Sequence, residues 1–367
     1  MSKCYTGMAV GLMIGATAIV GQAQEASWAD KIEFSGDFRF RFEYIDQDDQ
    51  DDARERLRGR ARLGASAEVN DEIKVHLRVA SGGEDPVSSN ESFDGGFTTK
   101  DFRLDRAYID YSPAFAAGVE VWLGKFKNPW IQVSDLMWDT DLNPEGAVIR
   151  IGTGDSVKLL ANAGVYPLEE RSSTDDTYLY AAQVGAEGEV SDGVKVTAGV
   201  GYFHYESVQG FSPIFDEEDG FGNTVLEDED GGLTYVNEYG VFEAVASVQA
   251  DLGMPVKVFG NYLVNTEADS AGDTGFLFGV TAGKAKDPGS WEISYDYRDL
   301  EADATLGVFS DSDSYGGGTN GEGSRIKTKY QLAKNWQAAG TLFFNSIDPD
   351  GDDVDYTRLQ LDLVAKF

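Results

Sequence analysis

From Ile32 onward, hydrophobic and polar residues alternate with a period of two. Ile32, Phe34, Phe38, Phe40, Phe42 and Tyr44 share one face of the first segment; Glu33, Ser35, Asp37, Arg39, Arg41 and Glu43 share the other. That period marks a strand with one face in an apolar environment and one in water. The same alternation predicts strands over 32–45, 54–69, 72–81, 102–112, 118–127, 146–152, 156–166 and 178–190. Eight more follow over 193–206, 239–252, 255–266, 275–286, 290–302, 322–332, 335–346 and 355–367.

The connections between these segments carry more information than the segments do. Short ones (Asn70-Asp71, Pro113 to Ala117, Gly152 to Asp155, Ser191-Asp192, Gly253-Met254, Asp287 to Gly289, Ala333-Lys334) alternate with long ones. The long series is Asp46 to Ala53, Ser81 to Asp101, Asn128 to Glu145, Pro167 to Thr177, Ser207 to Glu238, Glu267 to Thr274, Asp303 to Gly321 and Ser346 to Val354. A soluble sandwich has no reason to gather its long loops at one end, whereas bacterial outer-membrane barrels have short periplasmic turns and long outer loops. The predicted fold is therefore all-β: a transmembrane antiparallel up-and-down β-barrel of about 16 strands. After residue 20, no stretch approaches the roughly 20 apolar residues of a spanning helix, and in lipid only helices and closed barrels satisfy every backbone group. The last segment agrees, with Thr357, Leu359, Leu361, Leu363, Ala365 and Phe367 on one face and the chain stopping on the aromatic.

Residues 1–23 read as a cleaved signal peptide: Lys3, an apolar run from Met8 to Val20, then Gly21-Gln22-Ala23 as a small-x-small site. Residues 24–367 then form a single barrel domain. Cys4 is the only cysteine and lies in that leader, so the mature chain has no disulfide, thiolate metal site or cysteine nucleophile. The formal charge of −34 argues against general electrostatic binding of nucleic acid. No cofactor and no metal site are expected; Asp348, Asp350 and Asp352 lack the spacing and closing Glu of an EF-hand. The other acidic loop runs, Asp48 to Asp52, Asp216 to Asp219 and Glu227 to Asp230, are expected to be solvated, near the lipopolysaccharide of the outer leaflet.

The second strand places Arg54, Arg56, Arg58, Arg60 and Arg62 on one face, opposite Leu57, Gly59, Ala61, Leu63, Ala65, Ala67 and Val69. Facing lipid, a basic residue costs roughly 2–4 kcal/mol near the midplane, so three would cost about 6–12 kcal/mol, comparable to a domain's whole stability. They are expected to face a watery interior. Arg39, Arg41, Lys74, His76 and Arg78 extend a basic wall there, interleaved with Asp37, Glu43 and Glu68. The third long connection supplies the opposite charge in Asp135, Asp139, Asp141 and Glu145; folded inward, it sets a transverse field of the kind by which pores select ions. Trp28, Trp122, Trp291 and Trp336 fall near strand ends, as interfacial girdle residues do. The two histidines, His76 and His204, have no Ser and carboxylate partners at a suggestive spacing, which argues against a serine hydrolase.

Two stretches resemble the putative porin family of Gram-negative bacteria. One is Leu123-Gly124-Lys125-Phe126-Lys127-Asn128-Pro129 with Leu136-Met137-Trp138-Asp139 and Asp141-Leu142-Asn143-Pro144-Glu145-Gly146. The other runs from Gly279 to Lys284, through Trp291 to Arg298, to Ala304, Phe309 and Ser310-Asp311-Ser312-Asp313. The resemblance implies a sixteen-stranded barrel, a homotrimer, and a third long loop that constricts the pore. The function expected is passive diffusion of small hydrophilic solutes and ions across the outer membrane. The alternatives are a channel selective for anions such as phosphate or carboxylates, and a plugged structural barrel.

Overall fold

The computed structural model describes residues 31–269 and 271–367; the signal-peptide segment 1–23 and Trp28 lie outside them. Among the described residues, sixteen long strands follow one another: β1 (Ile32–Gln47), β2 (Arg54–Glu68), β3 (Ile73–Ser81), β4 (Phe102–Tyr111), β5 (Val119–Lys125), β6 (Glu145–Thr153), β7 (Val157–Glu169) and β8 (Thr177–Ser191). They continue as β9 (Val194–Glu206), β10 (Tyr239–Asp251), β11 (Pro255–Asn265), β12 (Thr274–Gly283), β13 (Trp291–Leu300), β14 (Gly321–Ala333), β15 (Trp336–Ile347) and β16 (Val354–Lys366). Each end lies within three residues of the span expected from periodicity. Two small additions sit inside long loops: Glu91–Ser92, and a hairpin of Val225–Glu227 with Leu233–Tyr235.

Each strand pairs antiparallel with the next, and β16 returns to pair with β1 from Asp37↔Lys366 to Gln47↔Tyr356. The sheet is thereby a closed barrel without edges, which removes the unpaired backbone groups an open sheet would expose. Closure is tight at the chain end. Gly36 and Phe367 exchange both backbone hydrogen bonds at 3.0 Å, and the Phe367 ring lies where a Cβ on residue 36 would stand, 2.4 Å from it. Only glycine leaves room for that ring.

The alternation is turned inside out relative to a soluble protein. Phe34 is 71% exposed, and Phe38, Leu57, Leu77, Val184 and Phe278 are similarly bare on the outer surface, while Arg41, Glu43 and Arg358 are buried. An apolar surface of this extent, far beyond the few hundred Å² a soluble monomer tolerates, has lipid as its solvent. Trp291 and Trp336 lie exposed at the starts of their strands, in keeping with a girdle. Trp122 does not. It has the inward parity of Glu120, is 2% exposed, and packs against Tyr108 and Phe126, because a girdle residue must fall on the outward face and this one is a single step off.

Two long loops turn into the barrel, the third (126–144) and the seventh (301–320), and the fifth (207–238) bonds to the seventh through Asn223 and Thr224. Phe126, Trp130, Leu136, Met137 and Trp138 of the third and Leu306, Val308 and Phe309 of the seventh are all buried. They pack on inward aromatics of the wall. Trp130 meets the Phe203 ring edge-on at 5.1 Å, Trp138 meets it at 5.4 Å, and Phe309 stacks on Tyr205. Ile131 enters a recess where β8 and β9 carry Gly185 and Gly199; a Cβ on Gly185 would stand 2.5 Å from its Cδ1.

Candidate functional site

On β1, β2 and β16 most inward positions are charged, with Tyr356, Gln360 and Val364 among the exceptions. Register sets like charges opposite one another, Arg39↔Arg60 and Arg41↔Arg58, an arrangement that destabilises a strand pair unless acids intervene. Acids do intervene. Asp37 accepts from Arg60 at 3.0 Å and Arg62 at 2.7 Å. Glu43, fully buried, contacts Arg56, Arg358 at 2.5 Å and Arg58 at 3.8 Å. Asp362 takes a bidentate pair of bonds from Arg41 at 2.7 and 2.9 Å. Arg54, at the mouth, has no such partner among the described residues. Further down, Arg78 bonds Asp105, Lys74 pairs with Glu68 near the short-turn end, and His76 lies 3.9 Å from Asp110.

The third loop crosses the interior from one wall to the other. Asp141 reaches Arg60 at 3.3 Å and Arg62 at 3.1 Å. Asp135 goes elsewhere: it binds Arg298 of β13 at 2.8 Å and Arg325 of β14 at 2.7 Å. Asp139 meets the seventh loop, accepting from the Ser312 N–H at 3.0 Å while its own N–H donates to the Phe309 carbonyl at 2.9 Å. Glu145 takes no part; it opens β6 and pairs with Lys125 at 2.7 Å, largely in solvent.

These loop carboxyls differ in character. Burial alone would raise Asp135, but the Arg325 and Arg298 guanidiniums outweigh it and hold the carboxyl below the ordinary range. Burial likewise opposes ionisation of Asp141, and Arg60 and Arg62 again win. Asp139 has no cation within 4 Å among the described residues; burial, then the neighbouring Asp311 and Asp141 carboxylates, push it well above the usual range.

The seventh loop is the component that residue patterns left unassigned. Asp311 accepts from Arg298 at 2.7 Å, and Asp313 pairs with Arg358 at 2.7 Å and Arg41 at 3.4 Å. Arg298, 1% exposed, therefore sits among Asp135, Asp296 and Asp311. The signal was present in the inward parity of Asp296 and Arg298, of Arg325, Lys327 and Lys329, and of Arg358 and Asp362. Only the loops' destination was missing. Between them the loops and wall leave a cavity of about 110 Å³ bounded by Arg39, Arg41, Lys327, Asp139 and Asp141. On the long-loop side a vestibule of about 500 Å³ is lined by Arg54, Arg56, Arg58 and Arg358. A narrow, charged throat beneath a basic vestibule suits the passage or retention of small polar solutes, and the described residues contain no cluster of His, Cys, Asp and Glu suited to a metal ion.

The family described as "Putative porin" matches residues 44–214 and 237–367. Among solved structures, the chain is similar to Pseudomonas putida OprB in its high-pH structure, with a TM-score of 0.63 at 12% identity over 92% of this chain and 95% of that one. It is similar to Salmonella typhi OmpF in complex with daunomycin, TM-score 0.55 at 10% identity over 92% and 97%. A loop L8 deletion mutant of OmpT, an outer membrane protein of Vibrio cholerae, gives 0.54 at 12% over 92% and 99%. A comparison with curated proteins gives no match. The solved structures bear on the fold, and the fold places the chain in the bacterial outer membrane.

Proposed function

The chain belongs to the putative porin family, an outer-membrane channel family, and on that premise we propose that its water-filled path runs along the arginine wall of β1, β2 and β16. Small hydrophilic solutes and ions diffuse passively past the point where the third loop's acids oppose that wall. The observation that carries this reading is the course of the third loop, with Asp141 on Arg60 and Arg62 and Asp135 on the far wall. Charges buried without water cost several kcal/mol each unless paired; a wet throat relieves that cost along the whole wall. A homotrimer, contact of the acidic loops with lipopolysaccharide, and cleavage of residues 1–23 complete the proposal. Cross-linking, unheated gel migration and N-terminal sequencing of the mature chain check these.

The test is single-channel conductance in a planar bilayer, with reversal potentials under a KCl gradient, for the native protein and the Arg58→Ser/Arg60→Ser double variant. Open channels whose anion preference falls in the variant support the path along the wall. Open channels unchanged by the substitutions move selectivity to the loops. A bilayer that stays closed favours a plugged structural barrel, a reading with its own support in the aromatic filling by the third and seventh loops.

A further inference from the structure

Counting which wall cations already have a carboxylate separates two populations. Arg41, Arg56, Arg60, Arg325 and Arg358 each contact one within 3.5 Å. The other four cations lining the vestibule and throat do not. Among the described residues Arg39, Arg54 and Lys327 have no carboxylate within 4 Å, and Arg58 has only Glu43 at 3.8 Å, which Arg56 and Arg358 already hold closer. Arg39 spends one guanidinium nitrogen on the neutral Asn90, at 2.5 Å. The Nε atoms of Arg39 and Arg58 are buried with no hydrogen-bond partner.

Their positions form a sequence from mouth to throat. Arg54 opens β2 at the mouth, and four residues on, about 13 Å at 3.3 Å per residue, comes Arg58. Arg39 lies opposite Arg60, one further inward step down. Arg39 and Lys327 then border the same small cavity. A guanidinium with free N–H groups matches a carboxylate or phosphate bidentately, and an orphaned buried donor lowers the cost of binding such an acceptor. The acids nearby are also uneven. Asp52, Asp85 and Asp313 stand at the vestibule. Six aspartates border the throat, and among the described residues all but Asp139 already hold an arginine. Asp139 is the carboxyl that burial and the adjacent Asp311 and Asp141 hold well above the usual range.

We propose that Arg54, Arg58, Arg39 and Lys327 form a relay of anion-binding positions, with the tightest site for a carboxylate or phosphate group in the throat between Arg39 and Lys327. The relay rests on the channel reading above and deepens it by naming the solute class. The paired arginines set the shape and potential of the wall; these four make direct contact with the passing anion.

The test uses the mature protein in planar bilayers in KCl, with inorganic phosphate and acetate added separately as blockers of the chloride current. The expected result is saturable block, with half-block shifted at least tenfold to higher concentration by Lys327→Gln and by Arg39→Gln. Arg54→Gln shifts it less. Lys327 is exposed and, among the described residues, makes no hydrogen bond or ion pair that glutamine would break, so its variant folds as the parent does and keeps the test decisive if Arg39→Gln assembles poorly. Phosphate blocking at lower concentration than acetate assigns a phosphate site, and the reverse a carboxylate site. Open channels without saturable block by either ion, or block indifferent to both throat variants, overturn the relay and leave the porin reading intact. A bilayer that never conducts overturns the porin reading and the relay with it.

Discussion

Two sectors of the same barrel interior are built from the same alternating strands and filled in opposite ways. Around β7 to β11 the inward positions include the aromatics, glycines and amides Tyr166, Gln183, Gly199, Phe203, Tyr205, Tyr239 and Asn261, with one buried carboxyl, Glu243, held by Asn261. Loop residues Trp130, Ile131, Trp138 and Phe309 cover them until hardly any surface is left. Around β14, β16, β1 and β2 the inward positions are mostly Arg, Lys, Asp and Glu, and the space in front of them stays open as vestibule and throat. The wall fixes which way side chains point, while the chemistry of those side chains decides what the loops do. Glycines and aromatics give a hydrophobic loop something to bury against, at about 25 cal/mol per Å² of apolar surface. Arginines offer ion pairs only to the loop residues that carry carboxylates. The third loop satisfies both sectors, carrying Phe126, Trp130, Ile131, Leu136, Met137 and Trp138 for the one and Asp135, Asp139 and Asp141 for the other.

The largest effect is expected from Trp138→Ala in the packed sector. Truncating a buried Trp costs about 3–5 kcal/mol, and here the loop it anchors is freed as well. Single-channel conductance should rise while the heat-shift of the barrel on a detergent gel persists. A variant with native conductance would mean that the aromatic packing does not hold the loop. Next comes Arg298→Ala at the border between the sectors, which strands Asp135, Asp296 and Asp311 around Arg325. Breaking a buried pair of this kind costs about 3–5 kcal/mol, measurable as a lowered denaturation midpoint, and Arg298→Met should recover part of the loss by sparing the packing.

A third prediction uses pH on the charged side. Asp139 in the folded protein holds its proton more tightly than an ordinary carboxyl, so the folded state binds more protons than the unfolded one. Stability therefore falls as pH rises from the ordinary value of about 4 through the raised one. Over the same window the throat gains a negative charge and anion preference should drop. Reversal potentials across a pH series would check this, and Asp139→Asn should flatten the dependence. The smallest effect is expected from Glu68→Gln, whose partner Lys74 is half exposed near the short-turn end; conductance and unfolding should both match the parent. A clear change there would mean that the wall is sensitive along its whole length and not chiefly at the throat.

The barrel was legible because a period of two needs no tertiary information. One misplaced residue flips a whole strand, so Ile32 to Tyr44 and Arg54 to Val69 declare their faces outright, and Trp122 declares its inward parity to a reader who counts steps. Loop lengths added the polarity of the barrel. Asp141 was legible as a partner of the arginines because both lay on patterns of high charge density. Asp135 and Asp313 were not, since nothing local says that one will cross to β13 and β14 and the other will descend from the seventh loop onto Arg41. The anchors of that loop, Ala304 and Phe309, stood in the sequence without a direction.

By itself, then, the chain determined sixteen amphipathic strands, an apolar exterior, a charged strip of interior and a rhythm of short turns and long loops, all of them consequences of near-neighbour backbone geometry. The tertiary structure decided which arginines are neutralised and which remain free. Arg41 meets Asp362 across 321 positions and Arg325 meets Asp135 across 190. Pairings at that separation exist only once the ring has closed and the loops have found something apolar to bury against.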